Sequence, residues 1–217
     1  SLKEIKNRIG SVKSTLKITS AMKLVASAKL RKAQASIEAM APYEAALSDT
    51  FSRLSSGEGP VSPGNGGKTA IVAVASNSSL CGGFNSNVAR KAAEVISSCG
   101  DCVVFTLGRK IADSLRKTGL TTGDDHASLI GHPSYDEASS LAAELVERFT
   151  CGEFSKVMLV YNHFVSTSRQ EVRVEQYLPL AAPSNGAGEA APEETDYIVE
   201  PDAASVAAEL LPKVLSL

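Results

Sequence analysis

Three stretches of this chain carry residue types and spacings that could do chemistry. Gly66-Gly67-Lys68-Thr69 has the ending of a phosphate-binding loop, in which backbone N–H groups and a lysine cradle the phosphates of a nucleotide. That motif needs a glycine at position 62, which is Ser62, and it follows a strand and opens a helix, whereas this stretch precedes an apolar strand. The phosphate-loop reading fails on both counts. Ser76 to Asn85 (SNSSLCGGFN) is better placed, between a strand and a helix, where open α/β sheets bind ligands. It lacks G-x-G-x-x-G, and no acidic residue closes a second strand in the ribose-binding position. A tight structural turn through Leu80, Cys81, Gly82 and Gly83 is the default expectation.

The cysteines and histidines give no stronger signal. Cys81 stands near a helix N-terminus, a setting that can activate a thiol as a nucleophile. None of His126, His132 and His163 has a spacing that marks it as the partner base, and no G-x-S-x-G is present, so a small buried hydrophobe is the simpler reading. Cys99-Gly100-Asp101-Cys102 is formally C-x-x-C, but it ends a helix and enters a strand, the reverse of the thioredoxin arrangement. No second pair completes a zinc site. No catalytic residue, cofactor site or metal site is predicted. Four cysteines and no signal sequence point to a reducing compartment. No apolar run reaches the roughly 18 residues of a membrane span.

These stretches are positioned by alternating elements. Thr69–Ser76 (TAIVAVAS) reads as a strand buried on both faces, Asn85–Ser98 as a helix, Cys102–Leu107 (CVVFTL) as a second buried strand and Arg109–Lys117 as a helix. Thr121–Leu129 reads as a short strand with loops. Ser134–Phe149 is an Ala/Leu-periodic helix capped by Ser134, with Glu137 three residues on. Lys156–Asn162 and Glu171–Tyr177 read as strands, the second alternating like an edge strand. Tyr197–Glu200 reads as a returning strand, and Asp202–Leu211 as a short helix stopped by Pro212. Strand and helix taking turns define an α/β class, Rossmann-like, open and mostly parallel.

Ahead of this domain lies a different pattern. Read in sevens, Leu2, Ile9, Leu16, Lys23, Leu30, Ile37, Glu44 and Phe51 share one position; Ile5, Val12, Thr19, Ala26, Ala33, Met40, Leu47 and Leu54 share the position three residues later. Apolar residues held at a 3,4 spacing form the seam of a left-handed coiled coil. Ser1 and Glu4 fit a capping box, and Pro42 predicts a kink rather than an end because the heptad phase runs through it. The predicted organisation is a coiled-coil helix over 1–56 projecting from the body, a Gly/Pro linker over 57–68, and an α/β domain over 69–217 with a low-complexity loop at 181–195.

Charge divides along the same line. Residues 1–40 hold nine Lys and Arg against Glu4 and Glu38, a balance of +7; the remaining 13 basic and 22 acidic residues give −9. A cationic rod implies an acidic partner. Nucleic acid is disfavoured because aromatic interleaving is absent and the lysines surround the cylinder. A membrane surface is disfavoured because the apolar stripe is narrow.

The run Leu2–Gln34 (LKEIKNRIGSVKSTLKITSAMKLVASAKLRKAQ) resembles the amino-terminal helix of the gamma subunit of F-type ATP synthases, above all at Ile9–Lys13, Lys17–Thr19, Ala21–Ala26 and Ala33-Gln34. Ser79–Asn85 is similar to that family's Gly-Leu-Cys-Gly turn, and Glu200-Pro201-Asp202 with Leu210-Leu211-Pro212 to its approach to the final helix. The resemblance implies a central rotor stalk that couples proton translocation to ATP synthesis or hydrolysis by rotation. Its partners would be a surrounding ring of alpha and beta subunits, the epsilon subunit and the membrane c-ring. Catalysis would belong to beta, and the location would be peripheral, on the cytoplasmic face of a bacterial inner membrane. It places Met22, Lys23, Lys29, Arg31 and Lys32 in the contact zone with beta. It also makes Ile5, Ile9, Val12, Leu16, Ala26, Leu30, Ala33, Ile37 and Met40 the seam against a carboxy-terminal helix that the family continues into after Leu-Leu-Pro. On this reading the 217 residues are a truncated form unable to couple alone. The turn departs from the family at Asn77-Ser78-Ser79. The rival reading of the seam is a homodimeric coiled-coil adaptor.

Overall fold

A computed structural model describes residues 1–54, 67–120, 126–131, 133–179 and 199–215, and the chain divides into two units, Ser1–Ser48 and Asp49–Leu217. The first unit is helix alone. Helix α1 (Leu2–Leu54) runs unbroken through Gly10 and Pro42, a length of about 80 Å at 1.5 Å per residue. Pro42 removes one rung from a long ladder, and good helix formers on either side carry the structure past it. The Glu4 carboxylate meets the Ser1 amino group at 2.6 Å. The hydroxyls of Thr15 and Thr19 donate to carbonyls one turn back, at 3.1 Å to Ser11 and 3.0 Å to Thr15, so these polar groups are satisfied by their own helix.

The second unit holds β1 (Lys68–Val74), α2 (Phe84–Cys99), β2 (Cys102–Leu107), α3 (Arg109–Lys117), α4 (Ala127–Gly131), α5 (Tyr135–Thr150), β3 (Phe154–Ser166), β4 (Arg169–Leu178) and α6 (Ala203–Leu215). The sheet order is β2-β1-β3-β4. β1 runs parallel to β2 and β3, and β4 returns antiparallel to β3, so the open and mostly parallel α/β class is what forms. Strand alternation sends Ala70, Val72, Phe105, Leu107 and Val157 to one face, where they meet Leu141, Leu145, Phe149, Leu211 and Leu215 of α5 and α6, with Phe51 from the last turn of α1. Ile71, Ala73, Val104 and Val160 go to the other face, against Val88, Ala92, Ile96, Ile111 and Leu115 of α2 and α3. Each buried Val, Leu, Ile or Phe among them contributes about 1.5–3 kcal/mol.

Four expectations change. β1 opens at Lys68, inside the stretch read as linker, and closes at Val74; positions 57–66 and the loop 181–195 lie outside the described residues. The segment read as a short strand is, from Ala127, one turn of helix, because Leu129 and Ile130 pack side by side on the α5 face of the core. β3 extends past Asn162 to Ser166, since its pairing with β4 needs only backbone groups and persists after the apolar pattern fades. α6 passes through Pro212 to Leu215: Leu211 and Leu215, one turn apart, are both buried and hold the final turn in place. Tyr197 falls outside the described residues.

Candidate functional site

The turn after β1 is built by two asparagines. Asn85 accepts from the Ser76 backbone N–H and hydroxyl, both at 3.0 Å, and donates to the Ser78 carbonyl at 3.0 Å and to Cys81 Sγ at 3.1 Å. Asn77 accepts from the Arg109 N–H at 2.9 Å and donates to the Ala127 carbonyl at 2.8 Å, tying the turn to α3 and α4. Asn162 of β3 donates to the Phe84 carbonyl at 3.0 Å. The amide groups that could have read a ligand hold the turn itself. At its tip Leu80 has φ +66° and is 98% exposed, and Gly82 follows at φ +59°. Cys81 is exposed rather than the buried hydrophobe expected of it. Cys99 and Cys102 are free thiols, each partly exposed. Burial, reinforced by Cys99 and Asp101, pushes the Cys102 thiol up.

On α1 the seam is open to solvent. Ile5, Ile9, Val12, Leu16, Ile37 and Met40 are between 47% and 64% exposed, Leu30 is 37% exposed, and Ala26 and Ala33 are exposed as well. Met22, Lys23, Lys29, Arg31 and Lys32 are all exposed. At roughly 100° per residue, Met22, Lys29 and Lys32 share a side, while Lys23 and Arg31 lie roughly 120° and 200° round from Lys29. The structure therefore does not gather these five into one patch; it distributes cations around the shaft. Among the described residues no group of three His, Cys, Asp or Glu is placed to hold a metal ion, and no helix is long and apolar enough to cross a membrane.

One electrostatic centre was not foreseen from the sequence. Arg148 of α5 lies 4.5 Å from the ring centre of Phe154 and 5.3 Å from that of Phe105. It binds Glu153 at 2.6 Å and Glu144 at 3.1 Å. Glu153 holds the guanidinium above its usual range, and Arg148 in turn holds the Glu153 carboxyl below the usual carboxylate range. His126 stacks on Phe105 with ring centroids 6.4 Å apart. The only sequence signal was the i, i+4 pair Glu144 and Arg148; the aromatic partners come from distant strands.

A long apolar edge left open along a helix, with cations on every side, marks an interaction surface. The α/β unit adds a braced turn and a filled core. The chain belongs to the ATP synthase family, as a member of its gamma-chain branch: the family profile described as ATP synthase matches residues 1–217. It is 44% identical to the ATP synthase gamma chain of Phocaeicola vulgatus, covering 100% of this chain and 78% of that one. Against the gamma chain of Pelotomaculum thermopropionicum the identity is 37%, covering 99% and 77%. In the solved mitochondrial ATP synthase central stalk and c-ring of Tetrahymena thermophila, one chain shares this fold with a TM-score of 0.59 at 20% identity, covering 92% of this chain and 88% of that one.

Proposed function

We propose that the chain works as the rotating central shaft of an F-type ATP synthase, transmitting torque between a proton-driven c-ring and the catalytic sites of a surrounding alpha/beta ring. The observation that supports this most directly is the exposed, cationic α1 with its open apolar seam, taken with membership of the gamma-chain family. The seam residues Ile5 to Met40 receive a second apolar helix, which completes a coiled coil. Met22, Lys23, Lys29, Arg31 and Lys32 then face the acidic lever segments of beta. Cations distributed around the cylinder suit a partner that encircles it, because attraction persists at every angle of a turn. The chain has no catalytic residue of its own; it changes the beta sites by presenting them with different sides of one shaft. The α/β unit, with the Leu80–Gly83 turn as a structural corner, meets epsilon and the c-ring. The functional division is a shaft over 1–56, a linker over 57–67 and a foot that opens with β1 at Lys68 and runs to 217 with the loop 181–195. The subunit sits peripherally on the cytoplasmic face of a bacterial inner membrane.

The test is reconstitution of the full-length subunit with alpha, beta and epsilon. Lys23→Glu with Lys29→Glu is expected to leave the α/β unit folded and to lower both assembly and coupled ATP hydrolysis at least tenfold. Unchanged assembly and coupling would overturn the assignment of these residues. None of the relatives named above supports a homodimeric adaptor.

A further inference from the structure

We propose that Cys99 and Cys102 form a reversible dithiol–disulfide pair that ties the end of α2 to the start of β2. This goes beyond the rotor reading and does not depend on it. Cys99 closes α2 on the side that carries Val88, Ala92 and Ile96, which faces the sheet. Cys102 opens β2 on the same face as Val104, which points toward α2 and α3. Both side chains therefore turn into one layer and pack against one core cluster. Only Gly100 and Asp101 separate them. Gly100, at φ +72°, reverses the chain, and the Asp101 carbonyl accepts the Thr69 N–H at 3.1 Å, which anchors the bend to β1.

Both thiols are free and partly open to solvent, so a small disulfide can reach them. The upward push that Cys99 gives the Cys102 thiol accords with neighbouring sulfurs. A thiol displaced upward gains nothing from its ionised form, so the oxidised pair is not a strong oxidant. The oxidant is a low-molecular-weight disulfide such as glutathione disulfide. The Cys99 thiolate attacks one of its sulfurs, forming a mixed disulfide and releasing one glutathione thiolate, which takes up the proton Cys99 gave. Cys102 then attacks the Cys99 sulfur, closing the protein disulfide and releasing the second glutathione. Two protein thiols are oxidised and one small disulfide is reduced to two thiols.

The experiment takes the full chain through glutathione buffers of rising oxidised fraction, counts free thiols and maps the disulfides by peptide mass. The expected result is a concerted loss of two of the four thiols, with a peptide cross-linked between Cys99 and Cys102, reversed by dithiothreitol. Cys81→Ser with Cys151→Ser removes the two exposed thiols and is expected to leave that transition unchanged. Single glutathione adducts, or unmodified thiols, at Cys99 and Cys102 under conditions where Cys81 and Cys151 react would overturn the proposal.

Discussion

At the scale of single residues, two positions in the α/β unit have consequences that follow from their surroundings alone. Gly108 sits between β2 and α3 at φ +112°, and a Cβ there would lie 2.1 Å from the Ala75 carbonyl oxygen. Neither backbone can give way, because Ala75 donates its N–H to the Leu107 carbonyl at 2.9 Å. Gly108→Ala is expected to cost about 3 kcal/mol or more, read as a lowered urea midpoint. Tyr177 donates its hydroxyl to the Leu215 carbonyl, and burial raises its pKa from 10.0 to about 12. The folded state thus holds that proton more tightly than the unfolded chain. Its contribution is complete below pH 10 and is lost as pH climbs through about 12, on the order of 3 kcal/mol in all. Tyr177→Phe is expected to cost about 1 kcal/mol at neutral pH and to flatten the fall in stability across that alkaline window. An unchanged alkaline slope in the variant would count against this account.

At the scale of elements, what was legible in the sequence depended on whether the signal was local. α3 forms over Arg109–Lys117 as read, and α5 begins at its cap, where Ser134 Oγ accepts the Glu137 N–H at 3.2 Å. Caps and 3.6-residue periodicity are written in neighbouring residues. Ser134→Ala is accordingly expected to cost about 1 kcal/mol, visible as a drop of a few degrees in the melting temperature of the α/β unit. The last turn of α6 and the far end of β3 were missed because each is held from elsewhere: Leu215 by Tyr177, the β3 tip by β4. The setting of Arg148 was invisible for the same reason, since Phe105 and Phe154 reach it from two other elements. Arg148→Met keeps the apolar stem and discards the charge. It is expected to cost about 2 kcal/mol through lost cation–π contact and ion pairing. The Glu153 contribution is present above the free carboxylate pKa and fades as pH falls through the lowered one, so the variant should also be less sensitive to acid.

At the scale of the whole chain, the two kinds of information on α1 act on different steps of assembly. Its first 40 residues carry +7 while the rest carries −9, and exposed charge acts at a distance, before any contact is made. The apolar seam acts only once surfaces touch. Raising the salt from 0.01 to 0.15 M shortens the screening length from about 30 to about 8 Å, so association with the alpha/beta ring should slow at least tenfold while dissociation changes little. Lys29→Glu with Arg31→Glu should flatten that salt dependence. Ile9→Ser with Leu16→Ser, within the seam, should leave the dependence intact and speed dissociation instead, because they loosen the coiled coil that the seam closes with its second helix, and so the shaft the ring grips, without a change in charge. Surface plasmon resonance on immobilised ring, with association and dissociation rates read across a salt series, separates the two. If the charge variant and the seam variant shifted the same rate constant by similar factors, steering and sealing would not be separate properties of this helix, and the division of labour between its cations and its apolar edge would fail.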